Sequence, residues 1–325
     1  MRMGISALAV LAALFTALAL PAQAQQYPTR PVTIFVPFAA GGGSDLLARL
    51  VAQKLEERLG KPFIIENRPG AGTTLAAMQV VRAPADGYVL MQGTSSTMAI
   101  NVTMNKKLPY EPLKDLIPVA LLSSSPFFLV VAANSPLKSV ADVIAAAKAK
   151  PNGLNYGSGG PGSMHHLSTE LLQSLASIQM THVPYKATPP AMNDLIAGHI
   201  QLLFGDTTST LPYIQQGTVR GIAVTTAKRS PAAPNIPAVA ETVPGFESAS
   251  WQMLLAPGAT PPAIVNLLNR EVHAIFSDPA VIQELERRGI GPAVTGPPEE
   301  VTAFVKKEIV RWGEVVRRAG LEGSE

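Results

Sequence analysis

A glycine-rich turn between an apolar strand-like segment and a helical pattern constrains this chain more than any other feature. Residues 32–36 carry the β-branched and aromatic side chains typical of a buried strand. The apolar residues that follow the turn recur at helical spacing: Leu46, Leu47, Leu50, Val51 and Leu55. Gly41, Gly42 and Gly43 lie between these patterns and let a ligand approach the main chain closely. The first helical amides lack intrahelical partners and carry the positive end of the dipole, so we expect this turn to bind an anion.

The same arrangement occurs a second time, at residues 156–167. A short strand ends at Tyr156, four glycines follow within six residues, and a helical pattern begins after Ser163. Two such turns in separate halves of the chain predict one ligand that is held between two domains.

The first 24 residues have the pattern of a secretory signal peptide. Arg2 supplies the basic end, residues 4–20 are apolar, and Ala22, Gln23 and Ala24 match a small-x-small cleavage site. A retained membrane anchor is the alternative, because the apolar run reaches the lower end of spanning length. We expect cleavage near Ala24 and a periplasmic location. The chain has no cysteine, which excludes disulfides, thiolate metal ligands and lipid attachment through a cysteine.

Composition indicates a globular protein with more than one domain. About 300 residues remain after cleavage, which is more than one compact core usually holds. Hydrophobic residues make up 47% of the chain and charged residues 15%. The net charge of +3 is small and its Lys and Arg residues are dispersed, so it favours anionic ligands weakly and gives no nucleic-acid footprint.

Alternating strand and helix patterns predict an α/β fold in which each domain has a mostly parallel sheet flanked by helices. We expect domain 1 to comprise residues 25–123 and 250–325, and domain 2 to comprise 124–249, so that the chain crosses between them twice and forms a hinge. A strand-rich region at 117–131 is interrupted at 123–126. Ligands of such sheets bind at the carboxyl ends of the strands, where a third polar turn places Thr94 and Ser95.

The second turn also matches the dinucleotide-binding spacing at Gly157, Gly159 and Gly162. That site needs an acidic residue near the end of the next strand to hold the ribose. Residues 180–186 contain none. We therefore predict no nucleotide, and no other cofactor.

A metal site or a catalytic pair is the alternative use of His165 and His166, with Glu170 one turn later. Adjacent residues on a helix point about 100° apart, which makes it difficult for both rings to bind one ion. The other three histidines have no ligand spacing to these two. We predict a capping or pocket-wall role and no metal.

An exported hydrolase would use Ser163 with His166, but no serine lies in the Gly-x-Ser-x-Gly elbow that presents such a nucleophile. Ser44 and Ser163 lie at helix starts, where they cap the helix or donate to a bound carboxylate. Asp45 would repel an anion.

Asp206 follows a strand on the ligand edge. It either binds a hydroxyl or amine of the ligand or caps the next helix, and the capping role is slightly favoured.

An ordered set of motifs spans the chain after the signal peptide. They are Arg30-Pro-Val-Thr-Ile-Phe-Val-Pro-Phe38, Gly41-Gly-Gly-Ser-Asp45, Glu66-Asn-Arg-Pro-Gly-Ala-Gly72, Ala85-Asp-Gly-Tyr88, Tyr156-Gly-Ser158, Gly162-Ser163, His166-Leu167, Val183-Pro-Tyr-Lys186, Arg229-Ser230 and Leu255-Ala-Pro-Gly-Ala-Thr-Pro261. This set resembles the Bug receptors, which are the TctC-type solute-binding proteins of tripartite tricarboxylate transporters. Two departures, Ala187 and the segment 205–207, leave the specificity for the ligand side chain open.

The resemblance implies a non-enzymatic, monomeric Venus-flytrap receptor that holds a small mono-, di- or tricarboxylate between two lobes. Its partners would be the large and small integral-membrane subunits of a transporter, or a sensor protein if the receptor is an orphan. The family grips the carboxylate with the two glycine turns. The predicted ligand contacts are Phe38, Ala40, Gly41, Gly42, Gly43, Ser44, Thr94, Ser95, Ser158, Gly159, Gly160, Gly162, Ser163, His166, Lys186 and Asp206.

Overall fold

The structure of the protein is a computed structural model. The residues that the structure describes are 27–41, 43–185, 188–230, 233–288, 290–293 and 296–324. The predicted signal peptide at 1–24 lies outside these ranges, as do Gly42, Lys186 and Ala187. Within the ranges, no helix has both the length and the hydropathy that crossing a bilayer requires.

A five-stranded mixed sheet forms the centre of the first domain. Its strands are β1 (Val32–Val36), β2 (Phe63–Asn67), β3 (Val89–Thr94), β4 (Leu116–Ser125) and β10 (Ser250–Pro257). The spatial order is β2-β1-β3-β10-β4. β1 pairs in parallel with β2 and β3, whereas β10 runs antiparallel to β3 and β4. The predicted parallel core is therefore present, with an antiparallel return strand inserted in it.

The second domain has a sheet of the same size. Its strands are β5 (Phe127–Ala132), β6 (Asn155–Ser158), β7 (Thr181–Pro184), β8 (Leu202–Asp206) and β9 (Val219–Val224). The spatial order is β7-β6-β8-β5-β9. β6 is parallel to β7 and β8, and β5 is antiparallel to β8 and β9.

Helices cover both faces of each sheet. In chain order they are α1 (Gly43–Leu59), α2 (Thr74–Val81), α3 (Asn101–Met104), α4 (Val140–Ala149), α5 (Met164–Ala176), α6 (Thr188–Ala197), α7 (Thr207–Gln215), α8 (Pro262–Phe276), α9 (Pro279–Arg287) and α10 (Pro298–Arg318). On β1, Val32 and Ile34 pack with Leu47 of α1 and Leu268 of α8. The alternation of side chains along a strand sends Phe35 to the opposite face, where α2 and α10 lie.

The second sheet is buried in the same alternating way. Leu129 and Val131 of β5 join Leu167 and Leu172 of α5 in one cluster. Their neighbour Val130 joins another cluster with α6. Burial on both faces explains why β5 has the continuous apolar sequence Phe-Phe-Leu-Val-Val-Ala and not a polar alternation.

The chain crosses between the sheets at Pro126, which separates β4 from β5, and returns between β9 and β10. The predicted interruption at 123–126 is present only at Pro126, since β4 continues through Ser125 and β5 begins at Phe127. Ser123, Ser124 and Ser125 pair with residues 250–252 of β10. This pairing keeps the three serines in a strand, although serine alone does not favour strand structure. The domain boundaries at 123/124 and 249/250 stay a prediction.

A buried carboxylate ties the return strand to the C-terminal helix. Oε2 of Glu308 on α10 accepts hydrogen bonds from the indole Nε1 atoms of Trp251 and Trp312, each at 2.8 Å. Both indoles are almost fully buried, and Glu308 is 6% exposed. Arg311 also donates to Oε1 of Glu308, at 3.2 Å, so the buried charge has a partner.

We expect Glu308→Leu to lower the free energy of unfolding by about 2–4 kcal/mol, because two buried indole N–H groups lose their acceptor. Glu308→Gln is the matched control, since its amide oxygen still accepts from the indoles, and it should cost less. Urea titrations followed by tryptophan fluorescence measure both. An unchanged urea midpoint for Glu308→Leu would contradict this account of the contact.

Candidate functional site

A cavity of about 490 Å³ lies between the two domains, at the carboxyl ends of the strands. Half of its lining residues are serines and threonines, and several of them stand at helix starts. From the first domain it receives Phe38, Gly43, Ser44, Thr94, Ser95, Ser96, Ser250, Gln252 and Ile290. From the crossing and the second domain it receives Ser125, Pro126, Phe127, Gly159, Ser163, Met164, His165, Thr188, Pro189, Asp206, Thr207, Thr208 and Ser209.

The described lining of this cavity contains no Lys or Arg. An anion held here would therefore meet neutral donors and the amino ends of helices. Gly43 and Ser44 are the first residues of α1, and Ser163 is the N-cap of α5. Helices from both domains thus begin at the same cavity.

The buried carboxylate of Asp45 shapes the first glycine turn. Its Oδ2 atom accepts from the Gly41 amide at 2.9 Å and from Arg49 Nε at 2.9 Å, and its Oδ1 accepts from Asn67 Nδ2 at 3.0 Å. Burial opposes its ionisation, but these hydrogen bonds hold the pKa of Asp45 below its usual range. Asn67 also donates to the Phe38 carbonyl at 2.9 Å. Asp45 and Asn67 therefore fix the loop from behind.

Only part of the first turn reaches the cavity. Phe38, Gly43 and Ser44 line it, whereas Ala40 and Gly41 do not. Gly41 has the left-handed φ of +87°, and Gly43 does not need a positive φ. The amide of Gly41 is already bound to Asp45. Gly42 lies outside the described residues.

In the second glycine turn, two of the amides already have acceptors in the protein, one in the loop and one on α5. The Gly160 amide donates to Ser158 Oγ at 3.0 Å, and the Gly162 amide donates to His166 Nδ1 at 3.2 Å. Ser163 Oγ donates to the Gly160 carbonyl at 2.7 Å. Of the predicted contacts in this turn, Gly159 and Ser163 line the cavity, while Ser158, Gly160 and Gly162 do not.

A stack of aromatic rings supports this turn from below. The rings of His166 and His182 lie 3.9 Å apart and 7° from parallel, and Tyr156 stacks on His182 at 5.0 Å. Nε2 of His182 is 2.6 Å from Ser158 Oγ. Glu170 accepts from the Tyr156 hydroxyl at 2.5 Å and lies 3.6 Å from His166 Nε2. The stack therefore contacts both ends of the loop.

His165 lines the cavity, whereas the residue predicted to contact the ligand was its neighbour His166. His166 is 5% exposed and its ring belongs to the stack. The two neighbours point into different surroundings, as the helical rotation between adjacent residues requires. Within the described ranges, no group of three or more His, Asp or Glu residues is arranged to hold a metal ion.

Ser163 binds backbone groups, as an N-cap does. Its Oγ accepts from the His166 amide at 3.3 Å and donates to the Gly160 carbonyl. The His166 ring nitrogen Nδ1 accepts from Gly162. The two side chains are therefore not arranged as a nucleophile and its base.

Asp206 stands at the N-cap position of α7, but its side chain makes no capping hydrogen bond, so the cap prediction is wrong. Its Oδ2 accepts from Thr188 Oγ1 at 2.6 Å and lies 3.1 Å from His165 Nε2. Burial opposes ionisation, but the charge and hydrogen bond of His165 and the Thr188 hydroxyl lower the pKa of Asp206 to about 2. Sequence reasoning missed His165 and Thr188, which come from separate helices and meet only in the fold.

The third polar turn is tied to the loop before α2. Thr97 Oγ1 accepts from the Thr94 amide at 3.2 Å and donates to Thr73 Oγ1 at 2.9 Å. Thr94 and Ser95, which were predicted to contact the ligand, line the cavity, and Ser96 lines it as well. Lys186, the remaining predicted contact, lies outside the described residues.

Two α/β domains with a cavity between their carboxyl edges define a periplasmic binding protein fold. Residues 47–321 match the model of the tripartite tricarboxylate transporter family receptor, TctC. The chain belongs to this family. The members of this family are non-enzymatic periplasmic binding proteins, so the chain is a binding protein and not an enzyme.

Among curated proteins, the chain is 34% identical to protein BugT of Bordetella pertussis over 305 residues, which is 93% of each chain. Among solved structures, it is 40% identical to R. palustris Rpa4515 with adipate, with a TM-score of 0.80 over 90% of this chain and 98% of that one. It is 34% identical to MatC (Rpa3494) from Rhodopseudomonas palustris with bound malate, with a TM-score of 0.75 over 89% and 100%.

We expect the melting temperature to fall by a few degrees as the pH drops from 6.5 to 4, in part through His182. Burial and the neighbouring His166 lower the pKa of His182 to about 4 from its ordinary 6.5. In this window the unfolded chain binds a proton at His182 that the folded chain does not, so acid favours unfolding.

Thermal melts across this pH range measure the effect, and His182→Phe is the control because it keeps a stacked ring without the titrating group. The melting temperature of His182→Phe should depend less on pH than that of the wild type. Identical slopes for the two proteins would show that His182 does not carry the effect.

Proposed function

We propose that the mature protein is a periplasmic receptor that captures a small mono-, di- or tricarboxylate between its two domains for a tripartite transporter. The supporting observation is that α1 and α5, from different domains, both begin at one hydroxyl-rich cavity whose described lining has no cationic Lys or Arg. Family membership and two related structures with adipate and malate point to the same ligand class.

In this proposal the carboxylate lies at the amino end of α1, near Gly43 and Ser44, and closure of the second domain brings the amino end of α5 to the same ligand. The first amides of a helix have no intrahelical acceptor and point outward, which suits a carboxylate. The crossings at Pro126 and between β9 and β10 act as the hinge. The free protein would then be more open than the bound one.

The second turn serves this site by being rigid. Because Gly160 and Gly162 already have acceptors inside the loop, they position Gly159 and Ser163 and do not themselves hold the anion. A loop that is ordered before the ligand arrives loses less conformational entropy on binding. This proposal replaces the prediction that the amides of Gly160 and Gly162 contact the ligand.

The remaining parts of the proposal concern cellular context. We propose removal of residues 1–24 on export, a monomeric receptor, and docking on a large and a small integral-membrane subunit. The alternative is an orphan receptor that docks on a sensor protein.

A thermal-shift screen of mono-, di- and tricarboxylates on the purified mature protein tests the ligand class. A ligand at about 100 times its dissociation constant adds roughly 2.7 kcal/mol of stability. We expect at least one small carboxylate to raise the melting temperature. If no carboxylate does so at millimolar concentration, the proposed ligand class is wrong.

We expect Gly43→Val to weaken binding of that carboxylate at least tenfold, about 1.4 kcal/mol. A Cβ at Gly43 meets no atom within 4 Å and the backbone is not left-handed, so the fold should survive while the side chain occupies the anion position. Ala280→Val, in the exposed first turn of α9 and outside the cavity, is the control. If calorimetry gave equal affinities for Gly43→Val and Ala280→Val, the amino end of α1 would not be part of the binding site.

Uptake of the identified carboxylate by a strain that lacks this receptor distinguishes a transporter from a sensor. We expect uptake to fall and to return when the gene is restored. Complementation with Gly43→Val should restore less uptake at low ligand concentration than complementation with Ala280→Val. Normal uptake together with lost induction of genes by the ligand would contradict the transporter role and favour the sensor.

A further inference from the structure

One end of the cavity carries a carboxylate of the protein itself. Asp206 ends β8 and lines the cavity beside Thr188 and His165. Its side chain keeps 43% of its surface accessible. In a site that must accept an anion, a fixed negative charge on the wall limits what the rest of the ligand can be.

The donors next to Asp206 are already directed at it. The Thr188 hydroxyl donates to Oδ2 at 2.6 Å, and His165 Nε2 lies 3.1 Å from the same oxygen. The other ring nitrogen of His165, Nδ1, is buried without a hydrogen-bond partner among the described residues, on the side of Gly159. The Thr188 hydroxyl and Nε2 of His165 are therefore both directed at Asp206, and Nδ1 of His165 is buried.

Asp206 keeps its charge in this setting. Burial opposes ionisation, but His165 and Thr188 lower the pKa of Asp206 to about 2. The carboxylate also stands at the start of α7, so the positive end of that helix dipole acts on Asp206 before it can act on a ligand. Both described donors meet at Oδ2, and the carboxylate retains capacity to accept a further hydrogen bond.

If the ligand placed a second ionised carboxylate beside Asp206, that group would face a negative charge. It would receive no hydrogen bond from His165 or Thr188, because both are directed at Asp206. Two like charges at contact distance repel strongly where water is displaced. A hydroxyl or an ammonium group would instead donate to Asp206. The first-domain side of the cavity thus offers a helix start and hydroxyls at Gly43, Ser44 and Ser95. The second-domain side also has hydroxyls, but it adds the acceptor Asp206.

We propose that Asp206, positioned by His165 and Thr188, is the specificity determinant of this receptor and selects a carboxylate whose other end carries a hydrogen-bond donor, a hydroxyl or an ammonium, over the dicarboxylate of equal length. This inference rests on the proposed function and narrows it. Adipate, the ligand in one related structure, has a carboxylate at both ends and serves as the matched comparison in the test.

Calorimetric titrations of the mature protein with two matched series test the proposal. One series is succinate, γ-hydroxybutyrate and γ-aminobutyrate, and the other is adipate, ε-hydroxycaproate and ε-aminocaproate. We expect a hydroxy or amino acid to bind at least tenfold more tightly than the dicarboxylate of its series. Asp206→Asn, which keeps the shape and removes the charge, should reduce that ratio at least tenfold. Asp142→Asn, on α4 and outside the cavity lining, should leave it unchanged.

The outcomes separate this inference from the proposed function. If no carboxylate of any kind binds, the proposed function fails and the inference falls with it. If carboxylates bind but the dicarboxylate is preferred by the wild type, the proposed function stands and the inference is overturned. The wild-type ratio decides this even if Asp206→Asn does not fold.

Two further variants test the assignment to Asp206. A preference that survives in Asp206→Asn but vanishes in Lys186→Gln would move the determinant to that lysine and overturn the proposal. Thr188→Val removes one positioning donor and keeps the charge, so the donor-bearing ligand should still be preferred, with a smaller ratio. An unchanged ratio in Asp206→Asn, with the protein folded, would also overturn the proposal.

Discussion

Strand β10 lies between β3 and β4 and joins three parts of the molecule: the hinge, the cavity wall and the C-terminal helix. Residues 250–257 return from the second domain and pair antiparallel with two strands that lie more than a hundred residues earlier in the sequence. This pairing closes the first sheet and fixes the second crossing beside the first. At the cavity end the strand contributes Ser250 and Gln252, and next to them Trp251 points into the core and binds Glu308. The hinge, the cavity wall and the C-terminal helix are therefore anchored by one strand.

The ionised side chains that support the loops of the cavity do not line it, so an anion in the cavity would not contact them. Asp45 lies behind the first glycine turn and Glu170 lies below the second, and each is bound by donors of the protein. Charges that are compensated in this way hold the loops in place without repelling a ligand at the surface. Asp206 is the exception, because it is ionised and also reaches the cavity wall.

Much of the fold could be predicted from local patterns. The helix Pro262–Phe276 has the bounds that its proline and periodicity indicate, and Ser163 caps α5 as the hydroxyl before the helical pattern suggests. The α/β class followed from the alternation of strands and helices. The serines of β4 could not be placed in this way, because their partners lie in β10, more than 120 residues away in sequence.

Four features follow from the sequence alone: the two glycine turns at helix starts, the α/β class, the absence of cysteine chemistry and the resemblance to a receptor family. Each of these depends on residues that are close in sequence or on their order. Which groups face the cavity depends on the tertiary structure. The amides of Gly160 and Gly162 are bound within their loop, and His165 rather than His166 meets Asp206 and Thr188 on the cavity wall. The direction of a side chain and the partner of an amide depend on packing between distant segments, which local sequence patterns do not specify.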